Sequence, residues 1–372
     1  MSNELAGQIL TPHGWVVGVI AFDETGKIAS ITVQPISKAA AQRRILPGFI
    51  DLHVHGGGGA DVMDGLTGLA TVTRLHARFG TTSVLATTMT ADRQSTLAVL
   101  TDLGRQQLTR FSQGARVLGV HLEGPYIEPG KLGAHPPLAR LATLEEIAQY
   151  AEVVPIRLIT LAPECEGHMA LIPKLNAMGI QVQIGHSRAS YEQGVMALKH
   201  GASGFTHLFN AMSGMHHREP GLVGAALAHA EYAEIIPDLM HVSPGAIRVA
   251  LRAIPNLYCV TDSTAGAGMP DGDYRLGSQV VTKCLGGVRL ADGTLAGSTL
   301  TMDQAFRNLI EIGLDPIDAS NRLALIPANY LKLHDRGRLM PQAFADLVVM
   351  DAQWQLTDVY VEGEKIDLSD AA

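Results

Sequence analysis

Along the middle of the chain, apolar runs bounded by polar turns alternate with segments of helical periodicity. The runs are ILPGFIDLHVH, TSVLATT, RVLGVHLEG, IRLITLAPE, VQIGHS, GFTHLFN, AEIIPDLMHV and NLYCVTDS. They are continuously apolar rather than alternating, the pattern of strands buried on both faces of a parallel sheet. Helix starts fall between several of them: Thr143 with Glu146, and Ser190 with Gln193, have the spacing of a capping box. Eight such units, with STLTMDQAFRNLIEIG as the helix after the last strand, predict an α/β protein built on a closed (β/α)8 TIM barrel over residues 46–335. A doubly wound open sheet is the structural alternative, and no GxGxxG fingerprint favours it.

The two ends have a different texture. Residues 1–45 read as short alternating strands with turns, including GWVVGVIAF and KIASITVQP around DETG. Residues 336–372 repeat that texture in ADLVVMDAQWQLTDVYVEGEKI, so the two ends are expected to pair into one small β-sandwich domain.

Composition narrows the class. The chain has 372 residues, 47% of them hydrophobic and 17% charged, which suits a globular enzyme and not a disordered or fibrous chain. A formal net charge of -8 argues against broad attachment to nucleic acid or to acidic membrane, while leaving room for a local cationic pocket. Cys165, Cys259 and Cys284 are odd in number and form no CxxC pair, so no disulfide framework is expected and a cytoplasmic location is. The first residues, MSNELAGQILTPHGW, lack the basic and apolar regions of a signal peptide, and no apolar run is long enough to span a membrane.

The candidate chemistry lies where the runs end. His53 and His55 end the first, Glu123 the third, His186 the fifth, His207 the sixth and Asp262 the eighth. Residues at the C-terminal ends of barrel strands converge on one mouth, and His53 and His55, two apart in a strand, share a face. Imidazoles and carboxylates are the donors that suit Zn²⁺ or Fe²⁺ in an open catalytic site. Any one of these histidines, among 15 in the chain, can equally be a satisfied polar residue; the set at one end of the barrel is harder to read that way. The four glycines after His55 make a tight turn or let backbone approach a ligand, and the sequence does not separate the two. Taken alone, Asp262 also fits a helix cap, His135 a turn before two prolines, and Arg218 a solvated loop.

At these residues the chain resembles the N-acetylglucosamine-6-phosphate deacetylases of the amidohydrolase superfamily. PGFIDLHVHG, GVHLEGPYI, GAHPP, IGHS, THLFNAM, HREPGLVGA, VTDSTAGAG and LAGSTLTM match that family's motifs in order over essentially the whole chain. The resemblance implies a metal-dependent hydrolase releasing acetate from an amino-sugar phosphate. It implies Glu123, His186 and His207 as metal ligands, with His53 and His55 holding a second ion, so one or two divalent ions per subunit: Zn²⁺ first, with Fe²⁺ or another transition metal as alternatives. Asp262 corresponds to the catalytic acid/base and His135 to a loop histidine that polarises the acetyl carbonyl. Substrate contacts are implied at Ala134, His135, Asn210, Ala211, His241 and the backbone of Leu295, Ala296 and Gly297. Arg218 is implied to reach the phosphate from a neighbouring subunit, hence a homodimer.

The match departs from the family at Leu239 in PDLMHV, where many relatives carry glycine. The leading expectation is hydrolysis of N-acetylglucosamine 6-phosphate, and the alternative is the same reaction on N-acetylgalactosamine 6-phosphate. Dihydroorotase-like cyclic-amide hydrolases share the HxH start, but they generally place a modified lysine where this chain has Glu123. A barrel kept only as a scaffold would be expected to lose ligands or the proton-transfer carboxylate, and all are present.

Overall fold

The computed structural model describes residues 3–105 and 110–369. Eight short strands succeed one another in parallel: Phe49–Val54, Thr81–Thr87, Arg116–Leu122, Ile156–Leu161, Gln181–Ile184, Gly204–Phe205, Tyr232–Ile235 and Asn256–Cys259. The first six form one hydrogen-bonded sheet and the last two pair separately. Two irregular seams close the ring. Between the sixth and seventh strands, Leu208 N–H donates to Glu234 O at 2.8 Å and His207 N–H to the Glu234 carboxylate at 3.0 Å. Between the eighth and first, Asp262 N–H donates to His53 O at 2.9 Å, and the Thr261 hydroxyl donates to Asp51 at 2.6 Å. A helix follows each strand, from Gly65–Arg78 to Met302–Glu311, and the apolar faces pack into one large core. Among the described residues no helix is long and apolar enough to cross a membrane.

The expected cap at Ser190 is a complete box, whereas Thr143 makes only half of one. Its hydroxyl accepts from Glu146 N–H, but the Glu146 carboxylate turns to Arg140 and to the Tyr150 hydroxyl. The two chain ends meet in one seven-stranded sheet in which Arg44–Pro47 links the N-terminal strands to the C-terminal ones. Ile9, Ile20, Ile45, Leu347 and Val349 form its own apolar core.

The run ILPGFIDLHVH therefore serves two sheets, with Gly48 as the switch between them. Gly48 N–H donates to Asp346 O while Phe49 N–H donates to Gly80 O. A Cβ on Gly48 would lie 2.3 Å from the buried Thr82 methyl, so only glycine lets the strands pass this closely. The run AEIIPDLMHV is a strand only to Ile235, because Pro237 has no N–H to give a ladder. An antiparallel three-stranded hairpin, Gly272–Leu276, Gln279–Cys284 and Gly287–Arg289, is inserted after the eighth strand where none was expected.

Candidate metal centre and active site

The strand ends deliver their polar residues to one point. Glu123, 1% exposed, stands at its centre. One carboxylate oxygen lies 3.2 Å from His186 Nε2 and 3.1 Å from His207 Nε2; the other lies 2.9 Å from His55 Nε2, 3.2 Å from His53 Nε2 and 3.3 Å from His135 Nε2. Asp262 Oδ1 is 3.3 Å from His55 Nε2. His186, His207 and Asp262 have φ of 46°, 26° and 50°, the left-handed region that residues with a Cβ rarely adopt. The chain turns sharply where each strand ends, which swings these side chains over the mouth, and such strain clusters at functional sites.

The hydrogen bonds fix the imidazole tautomers. His53 Nδ1 is 2.7 Å from Glu234 and His186 Nδ1 is 2.7 Å from Lys131 O; both partners accept, so each Nδ1 carries its proton and each Nε2 offers a lone pair. Those lone pairs converge on carboxylate oxygens and on one another, with His53 and His55 Nε2 at 3.1 Å and His186 and His207 Nε2 at 3.0 Å. Such acceptor groups repel unless a cation sits among them. Glu123, His186 and His207 form one set that could hold a metal, and His53, His55 and Asp262 another, with Glu123 between the two. The donor set fits a divalent transition metal, with orienting partners already on His53 and His186.

A proton can take the place of the ion, and against burial the carboxylates draw one onto His53 and onto His55. Burial pushes the Asp262 carboxyl up, but the His53 charge and the His55 hydrogen bond outweigh it and hold the pKa at about 2. Burial would neutralise His55, yet its hydrogen bonds to Asp262 and Glu123 lift it to about 9. The cluster demands positive charge at its middle. His135 differs: burial brings it down to about 4, against the pull of Glu123. Thr90 N–H donates to its Nδ1, so neutral His135 carries its proton on Nε2, the nitrogen turned toward Glu123.

Above the cluster opens a cavity of about 340 Å³, lined by His55, Glu123, His135, His186, His207 and Asp262 at its floor and by Ala134, Asn210, Ala211, His241, Leu295 and Gly297 on its walls. Ala296, between two lining residues, turns instead into an apolar cluster with Leu276, Val288 and Met89. Arg218 does not reach this cavity in its own chain; it is exposed, beside His217, and borders a separate surface cleft with Arg188 and Tyr191.

Several participants were not anticipated. Glu234 orients His53, and its signal was a lone carboxylate inside an apolar strand. Lys131 lines the cavity from the KLGAHPP loop, and Leu276 of the inserted hairpin roofs it. His121 is a satisfied core residue, donating to Leu52 O and bonded to the Thr160 hydroxyl.

The amidohydrolase family model matches residues 44–366, spanning both the barrel and the return of the chain to the small sheet. This chain belongs to the amidohydrolase family. Among relatives of this amidohydrolase, the N-acetylgalactosamine-6-phosphate deacetylase of Escherichia coli O157:H7 is 39% identical, covering 96% of this chain and 97% of the relative. The N-acetylglucosamine-6-phosphate deacetylase of Vibrio furnissii is 37% identical, covering 94% and 90%. A mutant N-acetyl-D-glucosamine-6-phosphate deacetylase from Mycobacterium smegmatis, solved in complex with N-acetyl-D-glucosamine-6-phosphate, superposes with a TM-score of 0.91 at 32% identity, covering 98% of this amidohydrolase and 99% of that chain.

Proposed function

We propose that this chain hydrolyses the acetamido group of N-acetyl-D-glucosamine 6-phosphate to D-glucosamine 6-phosphate and acetate. The observation that carries the reading is the meeting of Glu123, His186, His207, Asp262 and His135 under one cavity, in a chain similar over nearly its whole length to deacetylases of 6-phospho sugars. In this reading residues 46–335 are the catalytic barrel, and residues 1–45 and 336–372 a small β domain, none of whose described residues lines the cavity.

Glu123, His186 and His207 hold one divalent ion, and His53 and His55 a second beside Asp262; we assign Zn²⁺ on the imidazole and carboxylate donors. Such an ion supplies Lewis acidity, lowering the pKa of a water toward about 7 and polarising an acyl oxygen. Asp262, held ionised, takes the proton of the attacking water and passes it to the departing nitrogen. His135 donates from Nε2–H to the oxygen on which negative charge develops. Ala134, Asn210, Ala211, His241 and the backbone of Leu295, Ala296 and Gly297 border the sugar phosphate. Arg218, exposed and turned away from its own cavity, serves the partner's phosphate in a homodimer, where its planar fork suits that anion. Three free cysteines support a cytoplasmic setting.

The 39% identity to the galactosamine enzyme favours a second reading, the same chemistry on the 4-epimer. Acetate release from the two sugar phosphates, measured side by side, tests both. A kcat/KM preference for the glucosamine compound supports the first reading, the reverse preference the second, and turnover of neither overturns both.

A further inference from the structure

The cavity carries two carboxylates, Glu123 and Asp262, and among its lining residues a single fixed cation, Lys131. Its side chain is half-buried and spans from the His135 loop across to the opposite wall. There the Nζ donates to Met212 O at 2.9 Å, immediately beyond Asn210 and Ala211. That wall is tied in turn to the floor, since Ser187 N–H, next to His186, donates to Ala211 O. One of the three ammonium donors is thus accounted for, and Lys131 lines the same cavity as Asn210 and Ala211, the two residues just before the one its ammonium holds.

We propose that Lys131 is a specificity-determining residue that supplies, from within the same chain, a positive charge to the phosphate of the substrate. The assignment rests on the proposed deacetylation of a 6-phospho sugar. An anion entering a cavity with carboxylates on its floor is favoured by a compensating charge on its wall; Arg218 of the same chain lies outside, and Lys131 would act beside the partner's Arg218 proposed above. Lys131 also has a competing, purely structural duty. Its carbonyl accepts from His186 Nδ1 at 2.7 Å, and its ammonium fastens the loop that bears His135. The two roles differ in what they read: a fastener serves every substrate alike, whereas a phosphate contact serves only the phosphorylated one.

The test compares N-acetylglucosamine 6-phosphate with unphosphorylated N-acetylglucosamine in the full-length wild type, Lys131→Met and Lys131→Arg. Methionine keeps the apolar stem and removes the charge. If Lys131 reads the phosphate, the ratio of kcat/KM for the phosphorylated over the plain sugar falls roughly 10- to 100-fold in Lys131→Met, the range of one hydrogen bond to a charged group. The fall appears in KM, and Lys131→Arg restores most of it. A parallel loss for both sugars, or an unchanged ratio, overturns the assignment and leaves the deacetylase reading standing. A wild type that turns over neither sugar removes the glucosamine reading, and the Lys131 assignment on this substrate falls with it.

Discussion

Glu234 Oε1 lies 2.7 Å from His53 Nδ1 and 3.0 Å from His207 N, so one buried carboxylate orients a strand-end imidazole and closes the seam between the sixth and seventh strands. Glu234→Gln should release the His53 tautomer. Metal affinity at the His53 and His55 side should fall about 10- to 100-fold, the usual cost of losing an orienting partner. Metal titration with content analysis reads this, and two ions held as tightly as in wild type would contradict it.

Asp262→Asn should leave the ion at Glu123, His186 and His207 in place and lower kcat about 10²- to 10⁴-fold, the range of general acid/base transfer. Asparagine keeps the shape and one acceptor but cannot carry the proton. Steady-state acetate release on metal-analysed protein is the check, and a kcat within a factor of a few of wild type would remove Asp262 from proton transfer.

Glu362 joins the small sheet to the barrel through Arg116, bound at 2.8 and 2.7 Å, and also pairs with Arg336 of its own segment. Burial raises its pKa, but the Arg116 hydrogen bonds and the Arg336 charge outweigh it and hold the carboxyl at about 2. A depressed carboxyl stabilises the fold fully above its unfolded value of about 4.5 and loses that contribution as pH falls toward 2. Thermal unfolding of the wild type should therefore drop across this window. Glu362→Gln should lie lower at neutral pH, by on the order of 2 kcal/mol for a partly exposed network. It should also show a shallower acid slope, and equal slopes in the two proteins would refute the argument.

Gly48→Ala brings a Cβ within 2.3 Å of Thr82 Cγ2 and 2.4 Å of its hydroxyl, both buried between the two sheets. Overpacking of this kind costs about 1–3 kcal/mol. Denaturant unfolding should register it, and Thr82→Ala in the same chain should recover most of the loss. No recovery would mean that backbone, and not Thr82, sets the limit.

Much of the fold was legible because parallel strands buried on both faces leave continuous apolar runs, and the sixth run, GFTHLFN, announced His207 although only Gly204–Phe205 forms a ladder. The hairpin at 272–289 escaped because it is half-exposed and its strands mix polar with apolar residues. Glu234 and Lys131 escaped for another reason. One sits inside a strand and the other in a loop quoted for its histidine, and neither ends a run.

By itself the sequence determined that His53, His55, Glu123, His186, His207 and Asp262 share one barrel mouth, because strand periodicity and the C-terminal ends of strands are local facts. It also carried the family motifs that the full-length relatives bear out. Only the tertiary structure decided what each group can do. That His53 and His186 carry their protons on Nδ1, that His135 is a neutral Nε2–H donor, and that Lys131 is the one fixed cation among the described residues lining the cavity all depend on partners distant in sequence. The physical reason is that tautomer, charge and exposure are set by neighbours within a few ångströms, and folding chooses those neighbours from across the chain.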